Sequence, residues 1–164
     1  MFHVVLVAPE IPPNTGNVIR LCANTGAQLH LVRPLGFELT DKQLRRAGLD
    51  YHEYATLKVH DDWAALLAAE APAHARMFAL TTHGTAPFSQ MQFQPDDWLV
   101  FGGETSGLPT TVREYFPPAQ RVRLPMRPAH RDLWCIESAV PVLVDQLRAR
   151  IDHAGERVDR LDRT

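Results

Sequence analysis

"HVVLVAPEIPPNTGNVIRLCANTGAQLHLVR", residues 3–33, reads as a strand, a helix and a second strand in a single run. "HVVLVA" and "LHLVR" are compact, apolar and bounded by turn residues, the pattern of strands covered on both faces. Between them lies "IPPNTGNVIRLCANTG", residues 11–26, a proline-containing turn that runs into a short helix. Asn14 or Thr15 is its expected N-cap and Gly26 its expected end, because a short side-chain oxygen suits a free helix N–H and glycine tolerates a left-handed exit.

The same alternation continues down the chain. "MFALTT" and "DWLVFGG" read as further buried strands, and "DKQLRRAG", "DDWAALLAAEA" and "TTVREYF" as helices, the second with Asp61 or Asp62 as cap. A last helix carries Val140, Leu143, Val144, Leu147 and Ile151 on one face. It should begin near Ser138, because Pro141 is tolerated only in a first turn. Strands alternating with helices imply an α/β fold, a mostly parallel sheet flanked by helices. We expect one domain over residues 1–153 and a charged tail over 154–164. In such folds ligands bind beyond the carboxyl ends of the strands. Attention therefore falls on "PEIPPNTGN", "THG" and "GETSGLP".

Bulk properties narrow the function. The chain has 164 residues, 45% hydrophobic and 22% charged, as one soluble domain does. Its apolar runs fall short of the roughly 20 residues of a membrane helix. "MFHVVLVAPE" lacks the basic start of a signal peptide, so a cytoplasmic location is expected, without a membrane partner. Cys22 and Cys135 are too few for a disulfide framework. The eight histidines are scattered without metal-ligand spacing, and no metal is expected. A net charge of −2 argues against indiscriminate nucleic-acid binding. "RVRLPMRPAHR", residues 121–131, nevertheless gathers Arg121, Arg123, Arg127 and Arg131 without an acid. Two prolines exclude a regular helix there, so a strand should lead into a fixed loop that presents guanidinium groups, suited to phosphate or simply to solvent.

In the first helix Asn17, Arg20 and Asn24 share a face. Amides around one arginine suit an anion or a sugar edge, although pairing with a distant acid would also explain the arginine. "FGGETSGLP" brings Gly102, Gly103 and Gly107 to the end of a buried strand, where backbone can approach a flat ligand. It is neither a Walker loop nor a dinucleotide fingerprint. Glu104 within it could orient backbone, cap the next helix or touch a ligand. No Ser-His-Asp arrangement stands out.

Taken in order, "PEIPPNTGNVIRLCANTGAQLHLVRPLGF", "RRAGLDYHEY", "FALTT", "FGGETSGLP" and "RLPMRP" resemble the SPOUT superfamily of RNA 2′-O-methyltransferases, most closely the small tRNA (cytidine/uridine wobble) enzymes. The resemblance spans roughly residues 1–131. It implies a C-terminal trefoil knot, a homodimer, S-adenosyl-L-methionine as cofactor and tRNA as partner. It implies cofactor contacts at Leu80 and Thr81, at Gly102, Glu104 and Gly107, and at Leu124 and Met126, with Asp132 beyond them. Arg20 is implied as the catalytic residue, oriented by Asn14 and by Asn24, and Arg121, Arg123, Arg127 and Arg131 as RNA contacts. A guanidinium keeps its proton, so Arg20 would hold a phosphate and steady the developing alkoxide while a phosphate oxygen takes the proton.

The chain departs from the family pattern at Gly103 and Ser106, where proline and arginine are usual, and at Ala8 and Arg33, where glutamates are frequent. It departs most in "RDLWCIESAV", residues 131–140, where serine and asparagines are usual. Two other readings share the fold: an RNA-binding protein with weakened catalysis, and the same chemistry on ribosomal RNA.

Overall fold

The computed structural model describes residues 1–39 and 57–123. β1 (His3–Val7) is followed by α1 (Pro12–Thr25) and β2 (Gln28–Val32). Then come β3 (Lys58–His60), α2 (Trp63–Glu70), β4 (Met77–Leu80), β5 (Ala86–Pro87), β6 (Trp98–Phe101), α3 (Thr110–Glu114) and β7 (Arg121–Arg123). Among the described residues, seven strands form one sheet in the order β3-β2-β1-β6-β4-β7-β5. Every pairing in it is parallel, as the alternation of apolar runs and helices implies.

Successive strand residues face opposite sides, and both sides are covered. Val4 and Leu6 of β1 join Leu29, Leu31, Leu99 and Phe101 beneath Val18, Ile19 and Cys22 of α1. Val5 and Val7 join Val32, Met77, Ala79, Trp98 and Val100 beneath Leu66 of α2 and Val112 of α3. Double coverage is why these strands are continuous apolar runs rather than alternating ones.

The start of α1 corrects one expectation. Its N-cap is Ile11, in an extended conformation, and Pro12 and Pro13 occupy the first turn. Proline is at home there: it lacks the N–H that the turn leaves unpaired, and its φ is already helical. Asn14 and Thr15 are therefore helical residues, and their side chains are released from capping. The other end is as expected, with Gly26 left-handed at φ 69. Of the two aspartates before α2, Asp62 is the cap, accepting a hydrogen bond from Ala65 N at 2.7 Å. Arg121–Arg123 form a strand, as expected of the basic stretch. The expected helices at 41–48 and from Ser138, the charged tail and the knot lie outside the described residues.

Candidate active site

Because the pairings are parallel, the loops after β1, β6 and β4 leave from one end of the sheet, and β6, β4 and β7 are consecutive neighbours. Leu80, Thr81, Gly102, Glu104 and Gly107 all sit at that end. Leu80 closes β4, and Thr81 is tied to β7 through its N–H to Val122 O at 3.0 Å. Thr81 Oγ1 accepts from His83 N at 3.2 Å, which fixes the turn beyond it.

The β6 loop folds back on itself. Gly103 and Gly107 form an antiparallel bridge, with Gly107 N–H donating to Gly103 O at 2.9 Å. A side chain at Gly102 would begin 2.1 Å from Gly107 C, so glycine is required by the loop's own return path. Gly107 itself is left-handed, at φ +68, and open space surrounds the position a Cβ would take.

Two glutamates lock this loop to the one after β1. Glu104 is buried, at 4% exposure, and accepts from Glu10 N at 2.7 Å and from Asn14 Nδ2 at 3.3 Å. The structure thus shows Glu104 orienting backbone and a neighbouring amide, and it excludes the capping role, since α3 has Pro109 at its N-cap, without a side-chain cap bond. Glu10 reciprocates across the same gap. Its carboxylate accepts from Ser106 Oγ at 2.6 Å, Thr105 N at 3.0 Å and Ser106 N at 3.3 Å, with a further bond from the Thr105 hydroxyl. The Ser106 and Thr105 hydrogen bonds hold the Glu10 carboxyl below its ordinary value of 4.5. A Cβ at Gly103 would begin 2.7 Å from Glu10 Oε1 and 2.7 Å from Ser106 Oγ. The two departures at 103 and 106 are therefore parts of one clasp with Glu10, a residue that sequence reading passed over although it lies inside the first block.

Arg20 is half-buried on α1 and donates to Asn17 Oδ1 at 3.4 Å, one turn earlier. Asn17 is thus the amide that meets Arg20, while the Asn14 amide reaches Glu104. Asn24 is exposed on the same helix. Arg121 donates from Nε to Phe116 O at 2.8 Å, which braces the turn before β7, and Arg123 is exposed at the end of that strand. Leu124, Met126, Arg127, Arg131 and Asp132 lie outside the described residues. The described residues offer a glycine-shaped loop, a guanidinium supported by an amide and a basic strand end, groups of the kind suited to a phosphate-bearing substrate and a second ligand.

Residues 1–134 match the SpoU rRNA Methylase family. A tRNA (cytidine(34)-2'-O)-methyltransferase of Burkholderia ambifaria is 68% identical over 133 residues, 81% of this chain and 85% of that one. A protein of the same name from Methylovorus glucosotrophus is 59% identical over 155 residues, 94% of this chain and 99% of that one. Among solved structures, a protein studied for the 2-OH methylation of C/U34 on tRNA superposes with a TM-score of 0.78 at 41% identity, covering 93% of this chain and 97% of that one. The SpoU methyltransferase AviRb of Streptomyces viridochromogenes, in complex with the cofactor AdoMet, shares the fold at a TM-score of 0.72 and 23% identity, over 92% of this chain and 60% of that one.

Proposed function

The chain belongs to the SpoU rRNA Methylase family, and from that premise we propose that it is a methyltransferase acting on the ribose 2′-hydroxyl of the wobble nucleotide, cytidine or uridine 34, of tRNA. The observation that carries this reading is the 68% and 59% identity to tRNA (cytidine(34)-2'-O)-methyltransferases, with coverage of 85% and 99% of those chains.

S-adenosylmethionine, when bound, supplies a methyl group made electrophilic by its sulfonium. The residues present suit it: Gly107 has open space where a side chain would stand, so a ligand can lie directly against backbone, and Leu80 and Gly102 stand on neighbouring strand ends. Glu104 and Glu10 keep that loop registered against α1. Arg20 would then grip the phosphate beside the target ribose and stabilise charge developing on the 2′-oxygen, with a phosphate oxygen of the substrate accepting the proton. Asn17 steadies the guanidinium. Arg121 and Arg123 begin the basic stretch that would follow the RNA backbone. A homodimer and a knot formed by the chain beyond Arg123 belong to the same reading, as does a single methyltransferase domain over residues 1–153 working in the cytoplasm. Among the described residues no helix is long and apolar enough to cross a membrane.

The family match ends at residue 134, inside "RDLWCIESAV", and this favours a second reading in which RNA binding persists with weakened catalysis. Likeness to the Methylovorus protein over 155 residues weighs on the side of the enzyme. Incubating the chain with total tRNA and methyl-labelled S-adenosylmethionine, followed by nucleoside analysis, should yield a 2′-O-methylated nucleotide at position 34. No incorporation at any enzyme concentration would remove the enzymatic reading, and calorimetric titration with the cofactor would then tell a binding protein from one without a functional pocket.

A further inference from the structure

At the β3 edge of the sheet, separated from β6 by β2 and β1, the fold assembles a cluster that the methyl-transfer reading does not use. His30 of β2 is fully buried, His60 of β3 is 7% exposed and the Glu70 side chain, at the end of α2, is 15% exposed. One ligand atom from each lies within 4.8 Å of the other two. His30 Nδ1 and His60 Nε2 are 3.1 Å apart, and two nitrogen ligands of a tetrahedral zinc stand about 3.3 Å apart. On its far side His30 Nε2 meets His3 Nδ1 at 3.2 Å, and His3 is stacked on Trp98 with ring centroids 4.0 Å apart. That outer contact is what a metal-binding imidazole needs: a partner for its second nitrogen that sets ring orientation and tautomer.

We propose that His30, His60 and Glu70 form a binding site for a single divalent transition-metal ion of the zinc class, which ties β2, the short edge strand β3 and α2 together. In the metal-free chain one proton lies between His30 Nδ1 and His60 Nε2. On binding, neutral His60 takes a proton on Nδ1 as it gives up the one on Nε2, with no net release to solvent, and two nitrogen–metal bonds from neutral imidazoles and one oxygen–metal bond from the Glu70 carboxylate form. Small rotations turn the two ring lone pairs from each other toward Glu70, and His30 keeps its Nε2–H donated to His3. Lys58 Nζ, 3.0 and 2.9 Å from the two Glu70 oxygens, is the competing cation. Its side chain is 49% exposed, so it can turn into water as the metal arrives. Three protein ligands leave a coordination position for water, and imidazole nitrogens with one carboxylate favour zinc or cobalt over magnesium or calcium. Spacing in the sequence conceals the site because its ligands come from three elements that only the sheet and its covering helix bring together.

Cobalt(II) provides a direct test, since tetrahedral nitrogen–oxygen coordination gives visible absorption bands that aqueous cobalt lacks. The full-length chain, freed of metal with a chelator, should develop those bands up to one equivalent of cobalt, lose them when zinc is added, and show a higher unfolding temperature with zinc. His60→Gln and Glu70→Gln should each abolish the bands; if His60→Gln unfolds, the more exposed Glu70→Gln decides. Absence of both bands and thermal shift in the unmodified chain would overturn the proposal. So would bands that survive in a folded variant, because the metal would then sit elsewhere. Since methyl transfer is not the readout, failure here leaves the reading of the enzyme untouched.

Discussion

Truncating Arg20 to alanine removes a guanidinium that is half-buried and supported by Asn17. The expected result is nearly unchanged S-adenosylmethionine affinity with turnover lower by roughly two to three orders of magnitude, the range for losing one electrostatic stabiliser. Cofactor calorimetry and single-turnover methyl transfer measure the two quantities separately, and normal turnover would make Arg20 structural. Glu10 carries a different prediction. Ser106 and Thr105 hold its carboxyl below the ordinary value of 4.5, so the unfolded chain takes up the proton first as pH falls. Its contribution to stability is therefore complete above pH 4.5 and lost as pH drops through the lower folded-state value. Thermal unfolding of the unmodified chain and of Glu10→Gln across acidic pH should give a difference that is constant near neutrality and shrinks below that point. Helical spacing alone made Arg20 a candidate to grip an anion, and its catalytic role is what the resemblance implies. Glu10 was not legible, because its partners lie 95 and 96 positions away and nothing in local pattern links them.

Among the elements, α2 has its boundary set by one side chain. Asp62→Ala removes the acceptor for Ala65 N and should cost about 1 kcal/mol, the usual loss for an N-cap, readable as a shift in urea midpoint without a change in slope. A negligible shift would mean that the apolar face of α2 alone holds its first turn. The helix was visible in "DDWAALLAAEA", and its cap was narrowed to two aspartates, of which geometry selects one. For α1 the same logic named the wrong residues. Asn14 and Thr15 are good caps by type, yet the two prolines ahead of them already satisfy the first turn, and the chain enters the helix at Ile11. Gly107→Ala at the β6 loop should cost on the order of 1 kcal/mol or more, since φ +68 strains any side-chain-bearing residue. Substitution there should weaken cofactor binding as well as stability. Cofactor affinity equal to that of the unmodified chain would sink the backbone-contact role.

For the whole molecule, the expectation to be measured is association. Sedimentation equilibrium should give twice the mass of the chain, and a monomer at micromolar concentration would contradict the dimer in the proposed reading. Hydrophobic runs of strand length separated by helical patterns sufficed for the parallel α/β class, because burial on both faces writes itself into composition at each strand. The loops that carry the candidate site were legible for a related reason: the loops that follow parallel strands all leave from the carboxyl end of the sheet. Strand order was beyond reach. β6 lies between β1 and β4, and β7 between β4 and β5, pairings settled by which apolar surfaces fit together across long stretches of chain. By itself, then, the sequence determined the class of fold, the strand-end loops, the candidate Arg20 and the family it resembles. Only the tertiary structure decided that Glu104 holds Asn14, that Glu10 clasps the β6 loop and that His30, His60 and Glu70 meet. Each of those contacts joins different elements, and hydrogen-bonding groups carry no local signature of the distant partner they will find.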